Sequence, residues 1–218
     1  MAVSCVKIQN EMALLDKLQK FDYSHSSVKK DAWEELSDRF SDLARDIMYG
    51  GYIDVHGVYR IYVRAVEFYF HEEDGTLDDN IVYHRNGKLS DIAPVHCFPT
   101  MSLHAHASGF DITFEKDGHR TSALIRKYAI YDTHRHSFIK RPKPKNAPKS
   151  CAEWEDYRST YLYDFLNGFS LTSDNRILWK DLEIGNTKAI SKAQPRIHTQ
   201  DDRRWRFVAE EDIQGLIK

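Results

Sequence analysis

The hydrophobic period of the chain changes from helical to alternating and back. Over residues 6–21 (VKIQNEMALLDKLQKF), Met12, Leu14, Leu15 and Leu18 fall at helical spacing, and FDYSHSSVKKD breaks the pattern. Asp31, with Glu34 three residues on, reads as a capping box. It opens a helix through Trp33, Leu36, Phe40, Leu43, Ala44 and Ile47, which Gly50-Gly51 ends. From 52 to 131 the texture is β, with aromatic and β-branched runs at 52–55, 59–70, 103–114 and 121–131. The turn signals DGT, RNGK and KDGH separate them. Ser150 and Glu153 form a second capping box, and Trp154, Tyr157, Tyr161 and Phe165 then share one helical face that reads as core packing. Asn167-Gly168 supplies the stop, and QPRIHT and RWRFVAEE return to β. These elements predict an α+β fold: a single domain with a mainly antiparallel β core flanked by helices. Residues 1–30 form an N-terminal helical extension and 31–218 the main domain.

The strand at 59–70 carries the first chemical question. Alternation puts Ile61, Val63, Ala65, Glu67 and Tyr69 on one face and Tyr62, Arg64, Val66, Phe68 and Phe70 on the other. Both faces are largely apolar, as in a central strand covered on both sides. A carboxylate in its middle, Glu67, has two readings. It is half of a buried ion pair with a neighbour such as Arg64 or Arg126. Alternatively it is a general base, its proton affinity raised by partial desolvation.

Composition narrows the classes. At 218 residues, 41% hydrophobic and 29% charged, the chain has an ordinary globular balance. A net charge of −2 argues against a protein that is basic all over, so a nucleic-acid surface has to be local. One segment offers it. Residues 132–150 (DTHRHSFIKRPKPKNAPKS) are proline-rich, and from 133 to 152 the chain carries Arg135, Lys140, Arg141, Lys143, Lys145 and Lys149 with no acidic residue. This loop reads either as a solvated linker or as a set of phosphate contacts. Three widely spaced cysteines, Cys5, Cys97 and Cys151, suit a reducing compartment. No apolar run nears the ~18 residues of a membrane span, and a signal-peptide core is lacking, so a cytoplasmic protein is expected. His84, His96, Cys97, His104 and His106 are ligand types for zinc, but no C-x-x-C or H-E-x-x-H accompanies them. No metal is expected. Without a Gly-rich phosphate loop or a G-x-S-x-G elbow, a nucleotide-cofactor enzyme or a serine hydrolase has no support.

Several separated stretches, in order, resemble the alkyladenine (3-methyladenine) DNA glycosylases. SDLARDIM followed by GGY (41–52) is similar to that family's opening helix and strand, LAR-x-LLG-K. RAVEFYFHEED (64–74) resembles its catalytic strand, where a glutamate is followed two residues on by tyrosine and then by Glu-Asp. Glu67, Tyr69, Glu73 and Asp74 keep that spacing. His84 matches the histidine after this strand, across a longer connection (DGTLDDNIVY) than is usual. SLHAHASGFDITF is similar to the aromatic strand that ends in a Tyr-Gly turn, ALIRKYAIYD to the LLRALEP strand with Arg126 at its arginine, and FLNG (165–168) to the Leu-x-x-Gly-Pro segment. QPRIHT and WRF (205–207) are similar to GPRIG and the closing PWRF. Together these cover roughly residues 36 to 210.

The resemblance implies a monofunctional hydrolase of base-excision repair that cleaves the N-glycosidic bond of a flipped, alkylated or deaminated purine. Glu67 would deprotonate the attacking water and Arg126 would position both. Tyr69, His84 and His106 would line the base pocket, with His106 where the family has a stacking tyrosine. Lys140, Arg141, Lys143 and Lys145 would contact phosphates of double-stranded or locally unpaired DNA. Neither metal nor cofactor is implied, and the protein would act as a monomer. The tyrosine that wedges into the DNA gap has no counterpart, Ser108-Gly109 standing in its place, and Glu115 or a neighbour replaces the gating asparagine. Two alternatives stay open: a non-DNA N-glycosyl hydrolase on the same scaffold, and a catalytically silent nucleic-acid-binding protein.

Overall fold

The computed structural model describes residues 14–73, 75–79, 82, 96–97, 102–106, 109–167, 177–182, 190–197, 199 and 202–210, with 96–97 and 102–106 as backbone only. The first predicted helix is therefore seen only as α1 (Leu14–Gln19), whose Leu14 and Leu18 are buried. The next, α2 (Lys29–Tyr49), starts two residues before the predicted capping box, and its N-cap, Val28, makes no side-chain cap bond. Ser26 and Glu35 hold the entry instead: Val28 N–H donates to Ser26 Oγ at 3.1 Å, and Ser26 N–H to Glu35 Oε2 at 2.9 Å. Asp31 lies in the first turn, where its charge suits the positive end of the helix dipole. Ala32, Leu36, Phe40, Leu43, Ala44 and Ile47 make one buried stripe. Gly50 closes the helix and Gly51 starts the sheet. A Cβ at Gly51 would stand 2.4 Å from the Lys180 carbonyl oxygen, so only glycine lets the two backbones approach this closely.

Among the described residues nine strands form one sheet: β1 (Gly51–Val55), β2 (Tyr59–Glu72), β3 (His96–Cys97), β4 (Ser102–His106), β5 (Gly109–Lys116), β6 (His119–Asp132), β7 (Ser137–Phe138), β8 (Ile177–Asp181) and β9 (Arg206–Val208). The order is β3-β4-β5-β6-β2-β1-β8, with β7 added to β6 and β9 to β2, and every pairing is antiparallel. The α+β class with an antiparallel core therefore holds. The run at 103–114, expected as one strand, is the hairpin β4–β5, paired from Ser102↔Thr113 to His106↔Gly109. The sequence marks the reversal only with Ser108-Gly109, a signal without the Asn-Gly or Asp-Gly of a tight hairpin. Gly109 has φ +132°, a conformation side chains rarely adopt.

β2 is central, as expected, but its alternation is interrupted. Val63 pairs with Tyr128, Ala65 with Lys127 and Val66 with Ile125, so Arg64 on β2 and Arg126 on β6 fall between rungs. These opposed irregularities change which face each strand turns inward. Ile61 and Val63 join the main core together with Val66, Phe68 and Phe70, which strict alternation would have placed on the opposite face. Glu67 and Tyr69 consequently leave the face of Ile61 and Val63. Tyr69 packs with Val82 and Leu124 in a separate small cluster.

On the core face Phe40 of α2 stacks on Phe68, ring centroids 4.4 Å apart, and meets Trp205 edge-on at 5.3 Å. Each such fully buried ring contributes about 1.5–3 kcal/mol relative to exposure. Leu14, Leu18, Phe21 and Tyr23 belong to this same cluster, as do Leu162 and Leu166 of α3 (Cys151–Asn167). No helix among the described residues is long and apolar enough to cross a membrane.

In α3 the Ser150 half of the predicted capping box forms, Glu153 N–H donating to Ser150 Oγ at 3.1 Å, while Glu153 Oε2 reaches one residue further and accepts from Lys149 N–H at 2.7 Å. The aromatic stripe is not the buried face. Trp154 is 39% exposed and Tyr157, Tyr161 and Phe165 are half-buried, whereas Glu155, Ser159, Leu162 and Leu166 turn inward. Buried arginines draw Glu155 in, and the rings lie along the flank. Nor is the basic loop a free linker. After β7, Ile139 N–H donates to the Ile130 carbonyl at 2.8 Å, Arg141 Nη1 to that of Tyr128 at 3.2 Å, and the Tyr157 hydroxyl to that of Pro142.

Candidate functional site

Glu67 lies on β2 opposite Leu124 of β6 and Arg206 of β9, and is fully buried. Its Oε1 accepts from Arg126 Nη2 at 2.9 Å and from the Tyr69 hydroxyl in a short contact; its Oε2 accepts from Ile197 N–H at 2.8 Å. Arg126 also reaches the Tyr69 oxygen, at 3.3 Å. Of the two partners considered for Glu67, Arg126 is therefore the one used. Arg64 stacks over the Tyr49 ring at 5.1 Å instead. Both arginines fall between rungs, but Arg126 lies on the neighbouring strand two residues from Leu124, the partner of Glu67, and its guanidinium reaches the carboxylate.

Charge is balanced around this pair. Arg126 lies 4.0 Å from Glu155 Oε2 and 3.7 Å from Asp156 Oδ1. Glu155 in turn takes Arg206, which also donates to Gln194 Oε1. Across the strand, Arg196 Nη1 contacts Asp79 Oδ2 at 2.5 Å with both side chains fully buried, and Arg203 approaches the same oxygen at 3.5 Å. Arg196 lies over the Tyr69 ring at 4.9 Å and Trp205 at 5.5 Å, and Arg203 over Trp205 at 5.2 Å. Among the described residues of this cluster, four buried arginines (126, 196, 203 and 206) thus stand against three buried carboxylates, Glu67, Asp79 and Glu155, and the half-exposed Asp156. Such neutrality is what makes so much buried charge tolerable. Burial opposes the charge on Arg126, but Glu67, helped by Tyr69 and Glu155, outweighs it and keeps the guanidinium protonated. The Tyr69 hydroxyl is pushed well above the usual tyrosine range, first by burial and then by the Glu67 charge. It is therefore a neutral donor at any physiological pH.

Glu67, Tyr69 and Arg126, singled out in the sequence, thus come together. His84 lies outside the described residues. For His106 only the backbone is described, at the end of β4 opposite Gly109. Its neighbour His104 holds the register position opposite Asp111, which is opposite Leu124 and so in the same row across the sheet as Glu67. Lys140, Arg141, Lys143 and Lys145 are not part of this cluster. They sit on the loop beyond β7, with Arg141 half-buried over the Tyr128 ring at 5.1 Å and the three lysines exposed. Sequence reasoning missed Asp79, Glu155, Arg196, Arg203 and Arg206. A signal was there for the arginines: QPRIHT and DRRWRF place cations between apolar and aromatic residues, where only paired charge can be buried.

By count, Oε1 of Glu67 accepts two hydrogen bonds from the described residues and Oε2 one, so Oε2 keeps acceptor capacity for one further donor. A carboxylate so oriented can hold and deprotonate a water. Compared with known proteins, the chain matches no family model, no curated protein and no solved structure.

Proposed function

We propose that the chain is a monofunctional DNA glycosylase of the alkyladenine type. It hydrolyses the N-glycosidic bond of an alkylated or deaminated purine flipped out of DNA, as a cytoplasmic monomer needing neither metal nor cofactor. One observation carries the reading. The stretches that resemble the family, far apart in sequence, converge on one carboxylate: Tyr69 and Arg126 on one oxygen of Glu67, the PRI segment through Ile197 N–H on the other, and WRF paired alongside. In this reading a water donates to the open position on Oε2 and attacks the anomeric carbon. Its proton passes to Glu67 while the base departs. Arg126 fixes the carboxylate and opposes loss of its charge before the substrate arrives. His84 and His106 stack on or border the flipped base, and the basic loop takes the phosphates. Extruding the nucleotide costs a few kcal/mol, offset by stacking and backbone contacts.

The complete burial of Glu67 and its pairing to Arg126 favour a second reading, a nucleic-acid-binding protein without turnover in which the carboxylate only stabilises the sheet. A duplex carrying hypoxanthine or a methylated purine, incubated with the protein and scored for abasic sites, separates the two. The glycosylase reading expects strand breaks after alkali at the modified purine. Salt-dependent binding without abasic sites, across a panel of such purines, would establish the second reading in its place.

A further inference from the structure

The aromatic stripe of α3 and the basic loop, which the sequence kept apart, face one another across an open groove of about 350 Å³. Its walls include Tyr128 of β6, Lys140, Arg141 and Lys143 of the loop, and Trp154 and Tyr157 of α3. The tryptophan is one of three exposed large hydrophobic residues among those described, and Arg158 lies over its ring at 5.9 Å. Tyr157 meets it edge-on at 6.2 Å. The loop is fastened at both margins, to β6 through Arg141 and to α3 through the Pro142 carbonyl, so its cations are held beside the rings. Two of the three nearby carboxylates are matched by buried arginines, Glu155 by Arg206 and Asp156 by Arg126 at 3.7 Å, which leaves the exposed Glu153 against the cations of the loop.

We propose that this groove binds single-stranded nucleic acid, one base stacking on Trp154 and the adjoining phosphates lying along Lys140, Lys143 and Lys145. Aromatic faces beside a positive groove are what strand binding without sequence readout requires, since every base has a face to stack and every phosphate a charge. An acidic peptide would use the lysines but has no planar group for the indole. Charge complementarity together with the exposed ring therefore favours nucleic acid. The groove adjoins the Glu67 cluster, because the first two turns of α3 set Glu155 inward and Trp154 and Tyr157 toward the groove. The inference rests on the nucleic-acid half of the function proposed above and not on turnover.

The test uses the whole chain, a labelled oligothymidine, a duplex of equal length and an oligoglutamate, with affinity read by fluorescence anisotropy over a range of salt. Trp154→Ala should weaken oligothymidine binding about 5–100-fold, the usual worth of a stacked base. Changing Lys140, Lys143 and Lys145 to Ala should lower the slope of log affinity against log salt by about 2. Tryptophan fluorescence should be quenched by oligothymidine in the wild type and less so in Trp154→Phe, a readout that does not depend on how well the alanine variant folds. Duplex binding with no oligothymidine binding would overturn the groove and leave the glycosylase reading standing. No binding to either would overturn both. Oligoglutamate bound as tightly as oligothymidine, or oligothymidine affinity untouched by Trp154→Ala, would assign the groove to acidic chains at large.

Discussion

Glu67→Gln is the perturbation on which the structural and catalytic accounts diverge. The amide keeps the volume but presents an NH2 group on one side. Oriented with its oxygen toward Arg126 and Tyr69, it points this NH2 at Ile197 N–H; reversed, it points at two donors. Either way a buried donor is unsatisfied, costing about 1–3 kcal/mol, and Arg126 loses its closest counter-charge. Breaking a buried pair costs about 3–5 kcal/mol. Glu155 at 4.0 Å and Asp156 at 3.7 Å still face Arg126, so the lower end applies. About 3 kcal/mol lowers the melting temperature of a chain this size by roughly 6–12 °C. If Glu67 is also the general base, single-turnover base release at a temperature where the variant is folded should fall about 10²–10⁴-fold. The two readouts are independent. A variant that melts within 1–2 °C (about the shift from 0.5 kcal/mol) would refute the energetic reasoning, and one that excises at the wild-type rate while folded would end the catalytic assignment.

Three further outcomes follow from the same geometry. Asp79→Asn removes the charge facing Arg196 in full burial and should cost about 3–5 kcal/mol in denaturant unfolding; a cost below ~1 kcal/mol would mean that groups other than Asp79 balance Arg196 and Arg203. His25 sits 2.6 Å from Glu72, which His119 also approaches at 3.2 Å. Burial works against protonating His25, but bonds to the Ser26 carbonyl and Glu72, with the charges of Glu72 and Glu35, raise its pKa above 6.5. The stabilisation is thus full below pH ~6.5 and lost as pH rises through the folded value. The melting-temperature gap between wild type and His25→Gln should shrink over that interval, and a gap independent of pH contradicts the assignment. At Gly109 an alanine Cβ would stand 2.7 Å from Ser159 Cβ at φ +132°, so Gly109→Ala should destabilise by about 1–3 kcal/mol. Adding Ser159→Gly should recover only part, because the backbone strain remains; full recovery would show that φ costs nothing.

Helix α2, the Ser150–Glu153 cap and the outline of the sheet were legible because each rests on local chemistry: a periodic apolar stripe, a hydroxyl three residues before a carboxylate, the glycine-marked turn at KDGH; the RNGK turn lies outside the described residues. What stayed hidden depends on partners distant in the chain. The hairpin inside 103–114 has one glycine to mark it. The stripe of α3 looked like core because period alone does not tell which of two adjacent faces turns inward; Arg126 and Arg206, from other elements, settle it in favour of Glu155. Glu67 and Arg126 could be nominated from sequence, one as a carboxylate in an apolar strand, the other as one of two arginines able to reach it. The choice between Arg64 and Arg126 could not, since it depends on which guanidinium the folded sheet brings to the carboxylate and which to the Tyr49 ring.

Counted in rungs, the ladder between β2 and β6 includes neither Arg64 nor Arg126. One residue is added to each strand at the same height, so the ends stay in register. A chain lacking both would still set Val63 against Tyr128 and Val66 against Ile125 and turn the same apolar residues inward. The cation beside Glu67 is in this sense a matched insertion into a sheet that closes without it. Such a position can take on, exchange or lose chemistry without altering the count on which the fold is built.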